Sequence, residues 1–362
     1  MRKRLVALLL TVAPVALLAT AGRGAETGPE ALLEAGHWKR LRAYAEPRVA
    51  ANPNDTQAVY YLASAKAQLG DLQGAMPLAE KTLASDANNA HYHLLVANIC
   101  LALTEHAGMF KAMSLANRFK EEAQKAVALD PNLVDAREAL MEYYHEAPGI
   151  AGGDKKKAWA TAEEIAGVDS VRGWLAKGEL ASLEKNAAKG EEFYKQALAA
   201  APNDARVLRA AASFYASDVE KKYDVAEKYA LAALKLDELR AGAFVALAMA
   251  YAGEERWPEL DALMTRAEKS VPDDFGAYYQ SGKTLLFSGK DLPRAERYFR
   301  KYLTMEPEGG EPNHAAAHWR LGLVLEKEGK RPEAIGEMDE ALREQPDLKE
   351  AKDDLKRVRN EH

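Results

Sequence analysis

The sequence predicts an all-α fold, a right-handed superhelical solenoid of helix-turn-helix units, and three observations predict it. Prolines recur at Pro53, Pro131, Pro202, Pro272, Pro307 and Pro346, three of them as D-P-N, A-P-N or V-P-D, and Pro202 to Pro272 spans 70 residues, close to two periods of 34. Laid out on that period, residue types fall into register. Residues 171–204 place Trp174, Gly178, Tyr194, Ala197 and Pro202 at offsets that residues 241–274 fill with Phe244, Ala248, Met264, Ala267 and Pro272. Residues 315–348 carry His318, Gly322, Ala341 and Pro346 at matching places. Finally, Gly70, Gly289 and Gly329 punctuate the units midway, where a chain reversing between two helices needs a positive φ.

The register has a physical reason. Small residues at the eighth, twentieth and twenty-seventh offsets let two helices approach, and the large residues fill the space beside them. Proline after the second helix stops it and starts the next unit. With a large residue, then small residues, Tyr, Ala and Pro in 34 residues, the chain resembles the tetratricopeptide repeat over nearly its whole length beyond residue 21. The units follow in order: 22–55, degenerate and with a short first helix, then 56–89, 90–133, 134–170, 171–204, 205–240, 241–274, 275–309 and 315–348. The polar residues 349–362 make a capping helix. Extra residues fall near 105–112, 147–154 and 308–314, and insertions in a solenoid map to loops.

The N-terminus reads as an address. Arg2, Lys3 and Arg4 precede an apolar stretch over residues 5–21, and Ala19-Thr20-Ala21 has the small-x-small form of a cleavage site. The stretch is short of the roughly 20 residues a membrane span needs and is interrupted by Thr11 and Pro14. Residues 1–21 are therefore expected to be a cleaved signal peptide, giving export to a bacterial periplasm with no stable membrane span. Losing their three cations moves the formal charge from −6 to −9. So acidic a chain argues against nucleic-acid binding, which rests on neutralising phosphates.

Little in the sequence carries catalytic chemistry. G-A-Y-Y-Q-S-G-K-T around Gly282 imitates a phosphate loop, but Gly276 is one residue too early and no strand precedes it. In G-I-A-G-G-D-K, Asp154 reads instead as the N-cap of a helix beginning at Lys155. His314 and His318 have i, i+4 spacing without an evident third ligand. Neither H-E-x-x-H nor G-x-S-x-G occurs, and the single cysteine, Cys100, takes an inward offset where a packed thiol is expected. No cofactor, metal or catalytic residue is expected.

The resemblance implies a concave groove lined by first-helix positions. Those positions carry Asp135, Glu138, Glu142, His145 and Glu146, then Arg172, Glu179, Arg206 and Arg209, then Tyr279, Lys283, Phe287 and Trp319. The groove thus runs from acidic through basic to aromatic. Aromatic and arginine side chains are typical anchors, so Arg172, Arg206, Arg209, Tyr279, Lys283, Phe287 and Trp319 are the candidate partner-binding residues and Asp135, Glu138, Glu142 and Glu146 an acidic groove. A plainer account pairs Asp135 and Glu138 with Arg172 and Arg206 on adjacent helices, and buries the aromatic end under later helices. The expected function is a non-enzymatic adaptor binding a protein or peptide in envelope assembly or export. The alternative is a small-ligand or metal-dependent carrier or enzyme using the acidic stripe with His145. Self-association through the last unit stays open.

Overall fold

A computed structural model describes residues 28–360 apart from 106, 240, 310 and 311. The signal peptide expected over residues 1–21 lies outside them. Among the described residues there are nineteen α-helices and no strand. The contacts divide the described residues into two compact units, the first within 28–200 with 308 and 309, the second within 201–307 with 312–360.

In the first unit, α1 (Pro29–Ala35) and α2 (Trp38–Ala51) form a pair whose first helix has two turns. Four further pairs follow: α3 (Thr56–Gln68) with α4 (Leu72–Ser85), α5 (Ala90–Leu103) with α6 (Met109–Leu129), α7 (Val134–Glu146) with α8 (Lys155–Val168), and α9 (Ser170–Leu183) with α10 (Ala187–Ala200). A 3-10 turn, Gly149–Ala151, precedes α8. In the second unit the pairs are α11 (Ala205–Ala216) with α12 (Tyr223–Leu236), α13 (Ala241–Gly253) with α14 (Trp257–Ser270), α15 (Gly276–Ser288) with α16 (Leu292–Tyr302), and α17 (His314–Lys327) with α18 (Arg331–Glu344). The last helix, α19 (Lys349–Asn360), follows.

Local chemistry explains the boundaries. Asp55, Asp71, Asn89, Asp154, Asp169, Asp204, Asp291 and Asn313 each precede a helix and accept hydrogen bonds from its free backbone N–H groups. Gly70, Gly289 and Gly329 hold φ of 86°, 71° and 76° at the reversals. The small first-helix residues sit under large second-helix ones. A Cβ at Gly178 would lie 3.0 Å from the Tyr194 ring, at Gly282 3.1 Å from Phe299, and at Gly322 2.8 Å from Met338. Cys100 is fully buried and its thiol is pushed up to about 11 by that burial, an inert packed group.

Within the second unit α13 packs on both α11 and α15, so first helices stack as a layer.

Candidate functional site

The acidic face of the first unit is built on α7. Val134 and Met141 anchor that helix in the core with Ile165 and Leu180, and the 3.6-residue period then puts Asp135, Glu138, Glu142 and Glu146 on one side. Asp169 caps α9 and so sets Arg172 one turn into it. There the arginine fork closes on both carboxylates. Nε donates to Glu138 Oε1 at 3.0 Å, and Nη2 donates to Glu138 Oε2 and to the buried Asp135.

One turn further along α7 the compensation ends. Glu142 is half-buried and, among the described residues, has neither a hydrogen bond nor an ion pair. Desolvation holds its carboxyl well above the usual carboxylate range, reinforced by the like charges of Glu179, Glu138 and Glu146. Glu138 is also raised by burial, against the pull of Arg172. At the end of the helix His145 is 6% exposed, with Nδ1 3.1 Å from Glu146 Oε1. Its Nε2 is buried without a hydrogen-bond partner, 4.0 Å from Glu184 Oε1, which accepts from Trp159 Nε1 at 3.1 Å.

In the second unit the sequence-derived residues meet different fates. Arg206 turns back on its own cap, with Nη2 2.6 Å from Asp204 Oδ2. Arg209 lays its stem over Gly242, where a side chain would have collided at 2.9 Å. Tyr279 is corrected from groove anchor to core residue. It is 3% exposed, packed edge-on against Phe299 at 5.6 Å and tilted against Tyr302 at 5.1 Å, with the Arg320 guanidinium over its ring. Trp319 is half-buried and donates from Nε1 to Asp354 Oδ2 of α19 at 2.9 Å, so the last helix occupies it. Lys283 pairs with Asp218 at 3.3 Å. Phe287 stays 63% exposed, the one member of the aromatic cluster still facing solvent.

The acidic stripe does not gather into a metal centre. Among the described residues the only group with converging ligand atoms is His318, Glu340 and Glu344, within 4.8 Å of one another. Two of these are already engaged, His318 with Glu337 at 2.6 Å and Glu340 with Arg343. His314 reaches the Met305 carbonyl at 2.8 Å, so the His314/His318 pair splits between two unrelated partners.

The geometry is that of stacked helix pairs, and the tetratricopeptide-repeat family model matches residues 279–349. Residues 279–349 belong to the tetratricopeptide-repeat family. Yeast Tom70 shares its fold, with a TM-score of 0.52 at 14% identity over 91% of this chain and 79% of that one. The Cut9–Hcn1 hetero-tetramer of APC/C matches 91% of this chain at 15% identity and a TM-score of 0.47, and this repeat protein spans about half (54%) of that chain. A thermophilic repeat protein of Thermus thermophilus, TTC0263, matches 57% of this chain and 95% of its own at 18% identity and a TM-score of 0.43. No curated protein matches the sequence. Tetratricopeptide-repeat arrays are protein–protein interaction scaffolds.

Proposed function

We propose that this repeat protein is an exported, non-enzymatic adaptor in envelope assembly or export, and that α7 seats a cationic side chain of its protein or peptide partner. Glu142 carries the reading. Arg172 pairs with both Asp135 and Glu138, while Glu142, flanked by Glu138, Glu146 and Glu179, has no cation of its own among the described residues. A lysine or arginine arriving there would supply the missing charge and a charge-assisted hydrogen bond. Export rests on the basic-then-apolar form of residues 1–21.

The test is capture of a partner from an envelope extract by the wild-type chain and by Glu142→Gln, with helicity followed by circular dichroism. Loss of one dominant partner in the folded variant supports the seat on α7. Undiminished capture removes it. Export is checked separately by sequencing the N-terminus of the protein recovered from cells, which should begin at Gly22.

A further inference from the structure

Two insertions leave the first unit's most exposed apolar side chains on one edge. The residues between α5 and α6, and those between α7 and α8, each join the first helix of a pair to its second. Consecutive pairs bring such joins to the same edge of a solenoid. The 3-10 turn packs on α6, and Lys120 Nζ donates to the Ala151 carbonyl at 3.4 Å. Beside these joins Phe110 and Met109, in the first turn of α6, stand 87% and 65% exposed, and Ile150 of the 3-10 turn 86%.

We infer that this edge, independent of the partner seat on α7, docks on an anionic lipid bilayer. The charge around the apolar tips fits that surface. Lys111, Lys155 and Lys156 are exposed, and none has a carboxylate partner among the described residues. Of the acids within the two joins, Asp154 caps α8 and Glu105 has a partner of its own. The spacing also favours a bilayer over a protein. Met109 and Phe110 open α6 while Ile150 sits on the 3-10 turn, so the apolar tips belong to two separate elements. A protein hot spot gathers its anchors in one pocket and is depleted in lysine. A lipid surface needs only apolar tips dipping below a plane of anionic headgroups that lysines can reach. The attachment is peripheral, because no described helix is long and apolar enough to cross a membrane.

The experiment places an environment-sensitive fluorophore on cysteines introduced at Gly108 and Gly149 in the full chain, with a control at Asn132 on the opposite edge. Both glycines have open space where the new Cβ would sit, and the native Cys100 is buried and inert to labelling. Vesicles of phosphatidylcholine alone are compared with an equimolar mixture of phosphatidylcholine and phosphatidylglycerol. The inference expects a blue shift at positions 108 and 149 with the mixed vesicles only, none at 132, and about tenfold weaker partitioning on adding Phe110→Ser and Ile150→Ser or on reversing the three lysines. It is overturned by no shift at 108 and 149, by an equal shift at all three positions, or by an equal response to both vesicles. A shift caused by envelope proteins and not by lipid assigns the edge to a protein partner and overturns it as well.

Discussion

Glu142 lies where the fold tolerates a charge for which it has made no provision. Its carboxyl is raised, so between about pH 4.5, where the unfolded group titrates, and its higher folded value the native state binds the extra proton. Stability therefore falls as pH rises through that window and is regained as pH falls. Glu142→Gln should stabilise the protein at neutral pH by on the order of 1 kcal/mol, given like-charge neighbours at i±4 and on α9. Urea midpoints checked at about pH 7.5 and about pH 5.5 should show that advantage shrinking at the lower pH; an advantage independent of pH would remove charge as its cause. Arg172→Ala should act oppositely and cost about 3–5 kcal/mol, because it strands the buried Asp135 and Glu138 together. The carboxylates were legible in the sequence as an i, i+3, i+7, i+11 stripe. The pairing of Asp135 and Glu138 with Arg172 was legible as well, but that Arg206 would close on Asp204 was not, since that depends on how its side chain folds back on its own helix cap. Tyr279 shows the same limit: the repeat offset aimed it at the groove, and the rings of Phe299 and Tyr302 on α16 claimed it for the core.

The reversal between paired helices needs a left-handed residue, and the chain does not always supply glycine. Lys185 and Glu255 adopt φ of 57° and 59° between α9 and α10 and between α13 and α14. A side chain there costs roughly 1 kcal/mol, and Lys185 is exposed and makes no ion pair among the described residues. Lys185→Gly should accordingly raise stability by about 1 kcal/mol in urea titration, and no gain would mean that the turn is not strained. Gly322→Ala should cost about 1–3 kcal/mol, because its Cβ meets Met338 at 2.8 Å and the Ala334 carbonyl at 3.1 Å. The helix pairing was legible because small residues and reversals repeat at one period. The insertion near 105–112 was harder to read: α6 starts at Met109, so part of the extra length became helix rather than loop and carries Phe110 out on a helical tip. That outcome depends on how far α6 extends beyond its partner, which no periodicity encodes.

At the scale of the whole molecule, periodicity reveals a solenoid but not its cargo, since one fold hosts many partners. It does constrain how the protein unfolds. Contacts run mainly between helices adjacent in sequence or in the neighbouring pair, and in such arrays stability is a sum of local terms rather than one global value. The tryptophans provide separate reporters once Trp38 is replaced: Trp159 and Trp174 in the first unit, Trp257 and Trp319 in the second. Arg172→Ala should move the first pair's urea transition to lower concentration and leave the second pair's within about 0.5 kcal/mol, as distant sites without shared partners behave. Variants retaining only one pair of tryptophans make the comparison direct. If both transitions moved together by the same amount, the chain would unfold as one cooperative body, and local additivity would not hold for this array. Separate movement would mean that a partner seated on α7 stabilises the first unit by mass action while leaving the second unchanged, so the unit whose transition a bound partner shifts identifies where it sits.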